Sequence, residues 1–237
     1  MFKTLVVYNT SLCNLNCRYC FLSKNEAMKK LDKDLEKSFE DKDYYLNLAK
    51  EYCNDENLSS ITRLEIWGGE PLLFLERVFN LIEQLIQINE NFEEIMFSSN
   101  YTHKNVIPSF EKLINLLEKY PERKFKICSQ ISCDGPPDLN DDGRGEGVTE
   151  KILNNFNYLI DKKYFLKENS NIKIHLSLKN TLDKTNFHLF LDKDYNIKYY
   201  KWFEDNFIDK VHKVHNSCKN ITINKPIPNF AVPAEYT

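Results

Sequence analysis

Three cysteines lie within eight residues near the start of the chain, at Cys13, Cys17 and Cys20. They follow directly after a short apolar run, Leu5 to Tyr8. A single loop after that run can direct all three sulfur atoms towards one point. Thiolates at this density select soft metals, so we expect them to bind an iron–sulfur cluster or zinc.

The number of thiolates helps to distinguish an iron–sulfur cluster from a zinc site. A structural zinc site or a fully ligated cluster takes four protein ligands, and the next cysteine, Cys53, follows only after a long charged segment. Three thiolates suit a four-iron cluster in which one iron stays open to another ligand. A zinc knuckle remains the alternative, because short runs of cysteines also occur in zinc sites.

The composition is that of an ordinary globular protein. The chain has 237 residues, of which 42% are hydrophobic and 28% charged, enough for one sizeable domain with or without a small appendage. A formal net charge of −3 gives no electrostatic reason to expect nucleic acid or an anionic membrane as a partner. No apolar run approaches the roughly 20 residues that cross a bilayer. The N-terminus shows no secretion signal, so we expect a cytoplasmic protein.

Strand and helix patterns alternate along most of the chain. We predict strands at residues 3–8, 62–67, 92–98, 124–132 and 172–178, with a possible sixth at 220–224. We predict helices within 24–57 and at 72–89, 106–120 and 149–163. The proline- and glycine-rich segment 136–147 is predicted to be irregular. This alternation indicates an α/β protein with a parallel sheet, here a partial (β/α)6 barrel.

Two domains are predicted, a core over residues 1–180 and a C-terminal extension over residues 181–237. The extension begins with an aromatic-rich helical stretch and ends in a proline-rich extended one. It either completes the barrel or is cut from a longer protein. His212, His215 and Cys218 are spaced by three, which brings them to one side of a helix, but packing explains this region better than a second metal site.

Four unusual segments follow the predicted strands. The cysteine loop follows the first strand, Gly68-Gly69-Glu70 the second, Asn100 the third and Asp134 the fourth. The chain has only six glycines, which suggests that those it keeps serve sharp turns or close approach to a ligand. The carboxyl ends of barrel strands form the reactive face. We therefore expect these segments to converge on one active site.

The sequence resembles the radical S-adenosylmethionine (radical SAM) enzymes at two places. The spacing of Cys13, Cys17 and Cys20, with the aromatic Tyr19 before the last cysteine, is similar to their cysteine signature. The stretch Gly68-Gly69-Glu70-Pro71 is similar to their glycine-glycine-glutamate-proline motif. A metal knuckle alone has no need of the second motif.

A third stretch narrows the resemblance to a branch of that superfamily. Residues 132–137, Ser-Cys-Asp-Gly-Pro-Pro, resemble the serine-x-aspartate-glycine-proline stretch of the peptide-modifying branch. That branch includes anaerobic sulfatase-maturating enzymes and maturases with a C-terminal SPASM domain. The chain departs from it beyond residue 180, where Cys218 stands alone instead of the several cysteines of an auxiliary-cluster domain.

The resemblance implies two cofactors and a set of contacts. Cys13, Cys17 and Cys20 would hold a 4Fe-4S cluster, and S-adenosylmethionine would chelate the open iron. Glu70 and the backbone of Gly68 and Gly69 would hold the methionine amino group. The other implied contacts are Ser132 and Arg144 on the carboxylate side, Asn100 or Asp134 on the ribose, and Tyr19 on the adenine.

The implied activity is reductive cleavage of S-adenosylmethionine to a 5′-deoxyadenosyl radical, which takes hydrogen from a peptide or protein substrate. A low-potential donor such as flavodoxin or ferredoxin would supply the electron. One alternative is an activating enzyme for a glycyl-radical partner. A second, from another class, is a non-catalytic zinc or iron–sulfur binding module.

Overall fold

The computed structural model describes residues 3–22, 38, 41–53, 55–161, 170–218 and 221–230. In this part of the chain six strands form one sheet, in which the strand order follows the sequence and every neighbouring pair is parallel. The strands are β1 (Thr4–Thr10), β2 (Arg63–Gly68), β3 (Glu94–Ser99), β4 (Phe125–Ser132), β5 (Ile172–Leu182) and β6 (Ile221–Phe230).

Helices connect the strands and cover one face of the sheet. They are α1 (Tyr44–Tyr52), α2 (Asp55–Leu58), α3 (Phe79–Ile88), α4 (Val106–Leu117), α5 (Pro137–Arg144), α6 (Val148–Asp161), α7 (Lys193–Phe203) and α8 (Asp209–Cys218). No helix among the described residues is long and apolar enough to cross a membrane.

The two faces of the sheet differ in chemistry. In β2, Leu64 and Ile66 are fully buried against the helices, while Glu65 and Trp67 point to the other, concave face. Burial alternates in the same way along all of β5. Side chains alternate across a strand, so an apolar-polar alternation places the core on the helical side and leaves a polar concave face. This architecture is the predicted partial (β/α)6 barrel.

Segment 136–147 was predicted to be irregular, and that prediction is wrong. Residues 137–144 form α5, with Pro137 in its first turn and Gly145 just beyond its end at a φ of 118°. Proline is favoured at a helix start. The helix lacks the apolar periodicity by which helices are recognised, since buried Asn140, Gly143 and Arg144 take part in its inner face.

The predicted helix over residues 72–89 begins later than expected. Two short 3₁₀ turns, Pro71–Leu73 and Leu75–Val78, precede α3. Pro108 does not interrupt α4, because it lies in the first turn of that helix. Of the segment predicted to be helical over 24–57, residues 24–37, 39, 40 and 54 lie outside the described part.

The predicted extension shares the sheet with the core. Residue 180 lies within β5, and β6 pairs with β5 as far as Phe230. Between them, α7 continues through a π-helical turn, Glu204–Ile208, into α8. Tyr199, Phe203 and Phe207 are fully buried there, so these three aromatic residues belong to the core. Residues 231–237 lie outside the described part.

Candidate functional site

The cysteine loop joins β1 to the rest of the molecule at the carboxyl edge of the sheet. Its first half is bound to the end of β2, where Gly69 N donates to Thr10 O at 2.6 Å and Glu70 N donates to Leu12 O at 2.9 Å. A Cβ atom on Gly69 would lie 2.4 Å from the carbonyl oxygens of both Ser11 and Leu12. The glycine therefore allows a backbone approach that no other residue permits.

The second half of the loop is bound on the other side of the site. Arg18 N donates to Gly143 O at 2.8 Å, which ties the loop to α5. The Arg18 guanidinium contacts the carboxylates of Asp142 at 2.5 Å and Asp183 at 3.3 Å. The Tyr19 hydroxyl donates to Asp134 Oδ2. The loop is thus held between β2 and the β4–α5 and β5 ends.

Asp134 and Arg144 form a buried ion pair under Tyr19. Arg144 Nε and Nη2 donate to the two carboxylate oxygens of Asp134, each at 2.9 Å, and Thr181 N adds a third bond at 2.8 Å. The Arg144 guanidinium lies 5.5 Å from the centre of the Tyr19 ring. Burial acts to lower the pKa of Arg144, but the nearby Asp134 carboxylate outweighs it and raises that pKa above its usual range. Arg144 therefore stays protonated.

Cys13, Cys17 and Cys20 form no disulfide and differ in exposure. Cys13 is exposed, whereas Cys17 and Cys20 are half-buried. Burial raises the pKa of Cys17, and the Arg144 guanidinium opposes this shift. Cys20 N donates to Cys17 O at 3.0 Å, so these two cysteines lie on one turn of the loop.

The donor set fits an iron–sulfur cluster, because cysteine thiolates are the ligands that such clusters take. Cys13 Sγ also accepts contacts from Leu15 N at 3.4 Å and Asn100 Nδ2 at 3.6 Å. Hydrogen bonds of this kind tune cluster potentials.

Glu70 is fully buried and joins two strand ends. Its carboxylate accepts from Leu72 N at 3.1 Å and from Asn100 N at 2.7 Å. Burial raises the pKa of Glu70 to about 7, although both backbone donors act in the opposite direction. In this structure the side chain therefore bridges the ends of β2 and β3 beside the cysteine loop.

Asn100 and Ser132 also lie at this edge. Asn100 Nδ2 donates to Asn14 Oδ1 at 3.0 Å, which links the end of β3 to the cysteine loop. The hydroxyl oxygens of Ser98 and Ser132 are 3.5 Å apart on the concave face. All the residues predicted for the site thus lie along one carboxyl edge, with Tyr19, Asp134 and Arg144 in direct mutual contact and Glu70 bonded to Asn100.

Three neighbours of the site were not predicted. Arg18 and Asp183 fasten the cysteine loop, and Lys179 lies with its ammonium 4.9 Å from the centre of the Trp67 ring. Arg18 stands between Cys17 and Cys20, so its position alone marks it for attention. Lys179 carries a weaker signal, a cation at an inward-facing position near the end of a strand.

Other cysteines and histidines lie apart from the site or are satisfied. Cys133 is fully buried behind the Asp134 pair, as predicted. Cys128 is buried, as predicted, although it lies on the concave side of the sheet, where its thiol donates to Glu94 Oε1 at 3.3 Å. His215 Nδ1 lies 2.7 Å from Ile221 O, so packing accounts for His215.

Two surface clefts lie at the opposite edge of the sheet. They measure about 710 and 570 Å³ and share Arg123 and Lys124 in their walls. Both are lined by lysines, an arginine and glutamates in mixture, and neither contains a residue of the predicted site. The cysteine loop therefore lies away from both clefts.

Comparison with known proteins gives one family and a few relatives. Residues 4–182 match the protein family described as 4Fe-4S single cluster domain. The chain is 34% identical over 136 residues to an uncharacterized protein of Methanocaldococcus jannaschii, covering 56% of this chain and 39% of that protein. It is 30% identical over 115 residues to an S-adenosylmethionine-dependent nucleotide dehydratase of a Fibrobacter species, covering 48% of this chain and 32% of that protein.

A solved structure shares the fold. A histidine-tagged anSMEcpe with bound AdoMet superposes with a TM-score of 0.51 at 16% identity, over 98% of this chain and 50% of that one. This likeness confirms the partial barrel. The matched regions span half or less of these three proteins.

Proposed function

Because the chain belongs to the 4Fe-4S single cluster domain family and has the partial-barrel fold of radical SAM enzymes, we propose that it cleaves S-adenosylmethionine reductively. The observation that carries the proposal is the attachment of the cysteine loop to the Gly68-Gly69-Glu70 turn, through Gly69 N to Thr10 O and Glu70 N to Leu12 O. The cysteine loop and the Gly68-Gly69-Glu70 turn therefore lie side by side at the carboxyl edge of the sheet.

The chemistry would come from the bound cluster and cofactor. When bound, these groups would supply one-electron reductive cleavage of S-adenosylmethionine and the hydrogen abstraction from the substrate that follows it. The protein supplies position and electrostatics. Cys13, Cys17 and Cys20 would hold three irons, and the Gly68-Gly69-Glu70 turn would hold the methionine amino group.

The remaining cofactor contacts stay predictions. Asn100 and Ser132 lie at the right edge to meet the ribose and the carboxylate side. Tyr19, Asp134 and Arg144 are bound to one another in this structure. We therefore assign these three a positioning role, in which the ion pair holds the Tyr19 end of the cysteine loop.

Two substrate classes follow from different observations. The likeness of residues 132–137 to the peptide-modifying branch supports a peptide or protein substrate, with flavodoxin or ferredoxin as electron donor. The 30% identity to an S-adenosylmethionine-dependent nucleotide dehydratase supports a nucleotide instead. A peptide library and a nucleotide mixture, each incubated with the reduced protein and S-adenosylmethionine, distinguish the two by which one is chemically altered.

The test of the class is anaerobic reconstitution with iron and sulfide. We expect about four irons per chain, as one cubane cluster requires, and 5′-deoxyadenosine on reduction with S-adenosylmethionine. Cys17→Ala should lose both the nucleoside and the iron–sulfur absorbance, whereas Cys53→Ala, which removes a half-buried thiol outside the loop, should keep them. Zinc in place of iron, or a cluster that never cleaves the cofactor, would support the non-catalytic module.

A further inference from the structure

Lys179 is a half-buried cation on the concave face, and none of the described residues offers it a carboxylate. Two other cations of this face are paired with carboxylates. Arg63 contacts Glu65 and Glu94, and Lys126 contacts Glu94. The ammonium of Lys179 instead lies 4.9 Å from the centre of the Trp67 ring.

The contact with Trp67 reaches across two strands. Lys179 is on β5 and Trp67 on β2, and the sheet order places β3 and β4 between them. Ser132, the partner of Lys179 in the β4–β5 register, and Ser98 on β3 occupy the space between. The Lys179 ammonium and the two hydroxyl groups therefore face the same part of the concave face.

This part of the face adjoins the cysteine loop. Trp67 immediately precedes Gly68, whose backbone pairs with Thr10 at the start of the loop. At the other end, Lys179 O accepts from Cys133 N at 2.9 Å, next to the Asp134–Arg144 pair. A molecule bound here would therefore lie beside the thiols.

The Lys179 ammonium has no anionic partner among the described residues. Asp134 is engaged by Arg144 through both carboxylate oxygens. Partial burial and the charge of Arg144 together lower the pKa of Lys179. A cation–π contact offsets part of the lost hydration of an ammonium, while an incoming anion would offset more of it and would find ready donors.

We propose that Lys179, backed by Trp67 and flanked by the Ser98 and Ser132 hydroxyls, binds a carboxylate or phosphate group on the concave face. The anion has two possible sources, the carboxylate of S-adenosylmethionine or an anionic group of the substrate. Choosing between these sources rests on the proposed function. The anion site itself does not depend on it, since it is formed by the fold.

Fluorescence of Trp67 reports on the site directly. The chain has two tryptophans, so a Trp202→Phe background isolates Trp67 in the iron-free full-length chain. Inorganic triphosphate, S-adenosylmethionine and decarboxylated S-adenosylmethionine are the three probes. An anion that draws the ammonium off the indole ring should change the emission, and the change should saturate with probe concentration.

Variants of Lys179 then test the assignment. Lys179→Met should weaken binding of the recognised probe by about tenfold or more, the effect of one charged hydrogen bond, and Lys179→Arg should restore most of it. Lys173→Met is the matched control, because Lys173 lies on the same strand and face but is exposed near the other end. Its affinities should stay within about twofold of the parent.

Equilibrium dialysis with the reconstituted protein identifies the source. Weaker binding of S-adenosylmethionine, without change for the decarboxylated form, assigns the site to the cofactor carboxylate. Weaker binding of triphosphate alone assigns it to a substrate phosphate. If Lys179→Met and Lys173→Met bind every probe alike, the proposal is overturned. Formation of 5′-deoxyadenosine by the parent protein reports separately on the proposed function.

Discussion

Asp134 and Arg144 bring two full charges into the interior beside the cysteine loop. Their side chains are only 1% and 7% exposed, and two hydrogen bonds join them. A buried ion pair contributes little compared with an apolar pair of the same size, but removal of one partner leaves the other charge unpaired in a poorly hydrated place. Loss of one partner should therefore destabilise the fold by more than the intact pair stabilises it.

Asp134→Asn should lower the free energy of unfolding by about 3–5 kcal/mol, because it leaves the Arg144 charge without a counter-charge. Asp142→Asn is the control, since Asp142 is 60% exposed and pairs with Arg18 at the surface. It should cost less than about 1 kcal/mol. Anaerobic urea unfolding measures both, and equal losses would argue against a positioning role for the buried pair.

Glu70 makes stability depend on pH. Its pKa is about 7 in the folded chain against an ordinary 4.5, so between these values the folded state keeps a proton that the unfolded state has released. Stability should fall by about 3 kcal/mol as the pH rises through this window, since each pKa unit corresponds to about 1.4 kcal/mol. The contribution is fully present below pH 4.5.

Comparison of unfolding free energies from about pH 4.5 to about pH 7.5 in the parent and in Glu70→Gln tests this dependence. The variant is expected to be less stable at low pH, because its amide nitrogen replaces one acceptor of Leu72 N or Asn100 N. Its stability should, however, decline less over the window. Parallel pH curves for the two proteins would show that Glu70 does not titrate there.

At the scale of elements, the junction between β1, β2 and the cysteine loop depends on close backbone contact. Gly69→Ala would place a methyl group 2.4 Å from two carbonyl oxygens of the loop. The loop would have to move away from Gly68-Gly69-Glu70, so we expect reconstituted iron to fall to less than about half of the parent value, as for other severe overpacking.

Gly147→Ala is the matched control for that substitution. Gly147 has a φ of 72°, and nothing lies within 4 Å of a Cβ atom built on it. Its replacement should cost about 1 kcal/mol of backbone strain and leave the iron content unchanged. The iron and sulfide content of both variants is measured after anaerobic reconstitution. Equal iron in both variants would show that the junction is not needed for iron binding.

At the scale of the whole molecule, the cysteine loop couples distant parts of the chain. Arg18 contacts Asp183, 165 residues away, and Tyr19 contacts Asp134, 115 residues away. A metal cluster bound to this loop would stabilise the folded state, in which these contacts are formed, because it binds the folded chain in preference to the unfolded one. Binding of a metal cluster at the cysteine loop should thus stabilise the entire barrel against unfolding.

Anaerobic reconstitution should raise the midpoint of thermal unfolding by several degrees, as roughly 2 kcal/mol of binding linkage would in a chain of this size. Removal of the iron with a chelator should reverse the shift. Cys17→Ala should unfold at the same temperature with and without iron and sulfide. A shift that persists in this variant would mean that iron stabilises the protein somewhere other than the cysteine loop.

Much of the site was predictable because its parts are local in sequence. Cys13, Cys17 and Cys20 share one loop in any fold, and Gly68-Gly69-Glu70 follows a clearly alternating strand. The order of strands and helices also followed from periodicity, because apolar residues mark the buried side of each element. The partial barrel and its carboxyl edge could therefore be predicted.

The tertiary structure alone decided what these parts touch. The α5 helix has no apolar stripe, and its inner face depends on Tyr19 and Asp134, which local sequence cannot reveal. Lys179 and Trp67 lie far apart in the sequence and meet only because the sheet curves. Periodicity reports which side of an element is buried, but contacts across the sheet depend on its register and curvature, which are set by packing of the whole chain.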